Sequence, residues 1–234
     1  MKFLYWSFVL LCFLLCFVYS GYTYTVDEIY TNFKTAYENS KNFSADFEEI
    51  TLYKTRKGVA HGQFTFGKPN LLRKEYVDHK DPDKIIKTIV LDGTYAWSYA
   101  RVINQVNKQK LNDARRRELL PGMGESLDGL SEKWDMKLVP DDAANSKGVH
   151  QIQLTPKDSP VNRPHGDVKE IFGIWVKEGE WLPVQFGHVI EYEDGSRRNV
   201  IVKLSKIQRD KKLSPNAFKF VIPKGAEVID LSDK

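Results

Sequence analysis

Apolar residues recur along this chain at two different periods, and the change from one to the other divides it. Between Thr25 and Lys41 the spacing is helical. Val26, Ile29, Tyr30, Phe33 and Tyr37 fall on one stripe, which predicts an amphipathic helix that must lie on something apolar. Thr25 and Glu28 stand three apart at its start and match a capping box, each side chain satisfying the other's backbone N–H. Downstream the period is two. Phe43, Ala45 and Phe47 alternate with Ser44, Asp46 and Glu48, and Phe64 and Phe66 alternate with Gln63 and Thr65, the pattern of strands with one wet face and one dry. The stretch GQFTFGKPNLLRKEY breaks at Gly67-Lys68-Pro69 and then resumes, so a turn there joins two strands of one sheet.

Two apolar runs flank Asp92-Gly93 in KTIVLDGTYAWSYARVINQV, a strong short-range signal for a hairpin. Further strands are predicted over 135–139, 150–155, 168–176, 182–192 and 197–204, with Glu178-Gly179 and Asp194-Gly195 as turns. One segment departs from this pattern. In 110–134, Leu111, Leu119, Leu120, Leu127 and Leu130 lie among helix formers and are split by Pro121-Gly122 and Gly124, which reads as two short helices around a flexible corner. A sheet of so many strands curls, and closure or near-closure removes the edges through which it would aggregate. The expected architecture is a large antiparallel sheet, one helix to cover it and a helical insert inside or across its mouth.

The N-terminus changes the picture of where this sheet works. An unbroken apolar run over 3–19 follows Lys2 and ends in the small residues Ser20 and Gly21, the form of a secretory signal cut after Ser20. Residues 1–20 are then the signal peptide and 21–234 a single domain; an uncleaved anchor is the alternative, since the run approaches a bilayer-spanning length. Both cysteines, Cys12 and Cys16, lie in that run, so a processed chain has no disulfide, thiol nucleophile or cysteine-bound metal. Leu14 and Leu15 before Cys16 argue against its lipidation.

A composition of 41% hydrophobic and 28% charged residues suits one globular domain, and a net charge of +4 spread along the chain makes no footprint for nucleic acid. The five histidines are far apart and expected at the surface, Glu48 and Glu49 would face opposite sides of a strand, and no nucleophile elbow or phosphate loop appears. No catalytic residue, cofactor or metal is expected.

The order of these elements resembles the LolA family of periplasmic lipoprotein carriers across nearly all of the processed chain. The resemblance rests on FSADFEE, the strand before Lys68-Pro69, the Asp92-Gly93 hairpin followed by Trp97 and Tyr99, and the ending Phe218, Phe220, Pro223 and Gly225. It implies an incomplete antiparallel β-barrel with helices forming a lid over an apolar cavity, in a monomer that shelters lipoprotein acyl chains. It implies cargo received from an inner-membrane LolCDE-type ABC transporter and delivered to an outer-membrane LolB-type receptor. On this reading Phe47, Phe64, Phe66, Leu72, Ile89, Leu91, Trp97 and Tyr99 line the cavity, and Leu119, Leu120 and Met123 belong to the lid. Lys68 occupies the rim position where the family usually has an arginine bonded to the lid, and Arg73, five positions on, is the candidate substitute; lysine lacks the planar fork of guanidinium, so its latch is weaker. Two other readings stay open: a lipid-binding sensor domain on the same scaffold, as in RseB, and a secreted lipid hydrolase.

Overall fold

The computed structural model describes residues 24–111, 130–158, 161–163 and 166–232. It opens with the helix α1 (Val26–Glu38). The capping box forms as expected: the Thr25 hydroxyl accepts from the Glu28 backbone at 3.2 Å and the Glu28 carboxylate accepts from the Thr25 backbone at 2.8 Å. The helix stops at Glu38 rather than near Lys41. Ser40 turns its hydroxyl back to the Ala36 carbonyl at 2.7 Å, and the Lys41 backbone N–H is drawn away to Asp210 Oδ1 at 2.6 Å.

The strands follow as β1 (Asn42–Tyr53), β2 (Arg56–Gly67), β3 (Leu71–Val77), β4 (Ile85–Leu91), β5 (Tyr95–Ala100) and β6 (Gln105–Lys110). A 3₁₀ turn, Arg101–Ile103, joins β5 to β6. After the short α2 (Leu130–Lys133) come β7 (Trp134–Val139), α3 (Asp142–Asn145), β8 (Val149–Pro156), β9 (Val161–Arg163), β10 (Gly166–Lys177), β11 (Leu182–Tyr192), β12 (Arg197–Arg209) and β13 (Glu227–Asp230). They form one sheet in the order β13-β6-β5-β4-β3-β2-β1-β12-β11-β10-β8-β7, with β9 beside β10. Among the described residues its two ends, β13 and β7, do not pair, so the wall is open. Among the described residues all pairs are antiparallel except β13 with β6, where the last described strand runs parallel to its neighbour. The turn chemistry read from the sequence is present: Asp92 Oδ1 accepts from the Thr94 and Tyr95 backbones at 2.8 and 2.7 Å, and Gly93, Gly179 and Gly195 all take positive φ.

Register assigns every side chain to a face. One row of directly opposed residues runs Leu138, Ile152, Ile174, Phe186, Val202, Glu49 across six strands. Ile29 and Phe33 of α1 are completely buried against this side together with Leu130, Trp134, Ile152, Leu154, Phe172, Ile174 and Val176, which defines the inner face and its core. Three more rows continue it through the other half of the sheet: Phe43, Phe66, Leu72, Leu91; Ala45, Phe64, Lys74, Ile89; and Phe47, Gly62, Tyr76, Lys87.

The outer face has a smaller core of its own. The chain between β12 and β13 returns over it, stacking Phe220 on Trp97 with ring centroids 5.2 Å apart and laying Phe218 on Gly67. Val90 and Val106, fully buried, belong to this outer parity. The aromatic ending that carried the family resemblance is therefore a clasp.

Gly62 is needed where it stands. A Cβ there would lie 1.9 Å from the Glu75 carbonyl oxygen and 2.8 Å from the Phe47 ring. Gly62→Ala is expected to destabilise the fold by about 1–3 kcal/mol, the usual cost of overpacking, seen as a lower melting temperature. Gly58→Ala, on the same strand with nothing within 4 Å of its Cβ, serves as the control and keeps its melting temperature.

Candidate functional site

At one end of the inner face, α1 meets the turn between β2 and β3. Tyr37 packs on Phe66 at 5.5 Å, and Phe43 lies 5.1 Å from Phe66 and 5.6 Å from Phe64, so helix and sheet share an aromatic seam. Burial there raises the pKa of the Tyr37 hydroxyl. The last turn of α1 has no basic residue of its own, and Lys68 supplies one: its Nζ donates to the Glu38 carbonyl and sits 5.4 Å from the centre of the Tyr37 ring. Its backbone N–H donates to the Lys41 carbonyl at 3.1 Å. A single cation thus ties the turn to the negative end of the helix dipole.

Six of the expected cavity residues come together on the inner face beside this seam. Phe47, Phe66 and Leu72 are buried, and Phe64, Ile89 and Leu91 are half-buried. Trp97 and Tyr99 do not join them. Both stand opposite Val90 and Thr88 on the outer face, where Trp97 Nε1 donates to Asp92 Oδ2 at 2.7 Å and the Tyr99 hydroxyl to Asn104 Oδ1 at 3.1 Å. The correction has a simple cause: both parities of β4 are apolar, so alternation leaves the face of its neighbour undecided. Arg73 is corrected for a related reason. It too is outer, opposite Thr65 and Val90, and its guanidinium pairs with Glu75 at 2.6 Å, away from the end of α1 that Lys68 holds. Leu119, Leu120 and Met123 lie outside the described residues.

Beside the apolar rows lies a polar group that alternation within β1 and β3 contains but sequence reasoning passed over. Glu49 shares the parity of Phe47, and Lys74 and Tyr76 that of Leu72, so all three point inward. Glu49 Oε2 accepts from Lys74 Nζ at 2.6 Å and from the Tyr76 hydroxyl at 3.0 Å. Lys74 also stands 4.3 Å over the Phe47 ring and 4.8 Å over that of Tyr76, while Lys87 covers Tyr76 at 5.1 Å. Glu48, next to Glu49 in β1, points the other way toward Lys203 at 3.6 Å, as strand alternation requires.

Burial acts to raise the pKa of Glu49, but the charge and hydrogen bond of Lys74, with the Tyr76 hydroxyl, outweigh it and hold the carboxyl below its ordinary value. At Lys74 burial wins instead and lowers the ammonium pKa despite Glu49; burial likewise pushes the Tyr76 phenol up. Two histidines expected at the surface are also partly covered. His188 stacks on Phe172 at 3.9 Å with Glu170, itself buried, 3.8 Å away, and His150 lies against Tyr24 and Trp181. A groove of about 720 Å³ on the opposite side of β1 and β2 has a mixed lining, with Asp46, Glu48, His61 and Lys203 beside Val77, Ile85 and Leu204.

The shift at Glu49 sets a pH dependence. A carboxyl whose folded pKa lies below its unfolded value contributes stability that is present above about pH 4.3 and lost as the pH falls through the folded value. Glu49→Gln is expected to flatten the fall in melting temperature between neutral and acid pH; an acid limb parallel to that of the wild type would remove Glu49 from the account.

Three comparisons bear on this geometry. The family model for the outer membrane lipoprotein carrier protein LolA matches residues 38–221. Among curated relatives, an outer-membrane lipoprotein carrier protein of Neisseria meningitidis is 24% identical over 223 residues, 95% of each chain. One of Cupriavidus pinatubonensis is 27% identical over 172 residues, 74% of this chain and 71% of its own. Among solved structures, a LolA superfamily protein of Nitrosomonas europaea aligns with a TM-score of 0.41 at 11% identity, covering 85% of this chain and 99% of its own. The matched segment runs from the end of α1 that Lys68 holds to the clasp over Trp97, and the chain belongs to the LolA family of outer membrane lipoprotein carrier proteins.

Proposed function

We propose that this chain is a periplasmic carrier that takes up the acyl chains of lipoproteins between α1 and the inner face. Export would follow from the N-terminal apolar segment. Cargo would arrive from an inner-membrane ABC transporter and pass to an outer-membrane receptor. Family membership supports the class of function. The observation that carries the mechanism is the seam where α1 lies on Phe43, Phe66 and their neighbours and is tied there by one lysine.

Grip on the cargo needs no special chemistry, since each methylene removed from water is worth about 0.8 kcal/mol. Release is the harder task. A helix that closes over the empty apolar face satisfies it internally, and every contact made only in the closed state opposes binding by its own free energy. Lys68 to the Glu38 carbonyl is such a contact. A charged donor at a helix C-terminus contributes on the order of 1–2 kcal/mol, which by favouring the closed state weakens the apparent affinity for cargo roughly tenfold.

Lys68→Leu is therefore expected to retain a bound lipoprotein and pass it poorly to an acceptor, while it stays folded and the melting temperature of the empty protein falls by only a few degrees. Transfer at the wild-type rate would take Lys68 out of the mechanism. Mass spectrometry of protein purified gently from its native envelope tests the function itself: a one-to-one complex with an acylated lipoprotein is expected, and recovery of free lipid products would point to hydrolysis instead.

A further inference from the structure

The inner face is graded. Toward Lys68 its rows are hydrocarbon and aromatic: Phe43, Phe66, Leu72 and Leu91. Away from Lys68 the same face carries Glu49, Lys74, Tyr76 and Lys87. Stability does not account for this change. A partly buried ion pair returns little beyond the desolvation it costs, and apolar residues of similar size fill the adjoining positions. Nor is the group sealed. The side chains of Lys74 and Glu49 remain 16% and 22% exposed, and Lys74, with three hydrogens on its ammonium, gives one to Glu49.

We infer that Lys74, Tyr76 and Glu49 form a polar subsite that binds the carbonyl oxygens at the head of an acyl chain, orienting cargo with its tails toward Lys68. This rests on the carrier reading above and adds a polarity to it. The match is one of donors and acceptors. An acyl ester or carboxylate presents only acceptors, and the cluster offers an ammonium fixed over two ring faces, with a second ammonium, Lys87, 5.1 Å from the Tyr76 ring centre. Two cations against one carboxylate leave the cluster one charge positive, which favours oxygen acceptors. Glu49 holds Lys74 and Tyr76 in place through a single oxygen, Oε2, as a positioning residue. Gly62 stands between Phe47 and Tyr76 in its row, and its missing side chain lets the two rings meet edge to face at 5.1 Å beneath Lys74.

The test uses the exported protein and three fluorescent probes of equal chain length: a pyrene-terminated alkane, the monoacylglycerol with the same chain and the free fatty acid. Wild type is expected to bind a carbonyl-bearing probe at least tenfold more tightly than the alkane. An advantage for the ester assigns the subsite to acyl esters, and one confined to the acid assigns it to free carboxylates. Tyr76→Phe, which removes the hydroxyl that donates to Glu49 and so loosens the anchor of Lys74, should reduce that ratio severalfold. The double variant Lys74→Met with Glu49→Gln, which strands no charge, should bring it close to one. A wild type that binds all three alike, or variants that keep the full ratio, would overturn the inference and leave the carrier reading standing. Failure to bind any probe would overturn both.

Discussion

Alternate residues of an extended strand must point to opposite sides of the sheet, and hydrogen-bonded register then commits each residue to the face of its cross-strand partner. The make-up of both faces of this molecule follows from that parity. Phe43, Ala45 and Phe47 bring Phe64, Phe66 and Leu72 with them to the side that α1 covers, and the same rule brings Glu49, Lys74 and Tyr76. A slip of one residue would turn the aromatic seam to solvent and move the outer salt bridge of Arg73 and Glu75 inside.

Because the sheet does not close, its two faces are finished differently. The inner face is covered by α1, a separate element docked by side chains and one lysine. The outer face is covered by the chain's own return between β12 and β13, stapled by Phe220 on Trp97, by Asn104 Nδ2 donating to the Gly225 carbonyl at 2.8 Å, and by the parallel pairing of β13 with β6. Backbone pairing makes the outer cover part of the fold. The inner cover is held instead by side-chain packing and by Lys68 on the Glu38 carbonyl.

Much of this was legible in the residues before any coordinates. The capping box of Thr25 and Glu28, the turns at Asp92-Gly93, Glu178-Gly179 and Asp194-Gly195, and the long strands from 166 onward follow from chemistry confined to a few neighbouring residues. The family resemblance was legible too, yet its landmarks Trp97, Tyr99, Phe218 and Phe220 turned out to serve the clasp and its surroundings. Apolar residues announce burial without naming the surface they are buried against.

Sequence alone determined the alternation in β1, β2 and β3, the amphipathic stripe of α1 and the positions of its cap and of the tight turns, because those are properties of dihedral preference and of period. Tertiary structure decided which face each parity of β4 and β5 would take, that Lys68 would cap the end of α1 and Arg73 would not, and that Glu49, Lys74 and Tyr76 would meet within hydrogen-bonding distance. Those outcomes depend on register between strands up to 25–27 positions apart, with Glu49 reaching Lys74 and Tyr76 across β2. Only the assembled sheet brings such residues side by side.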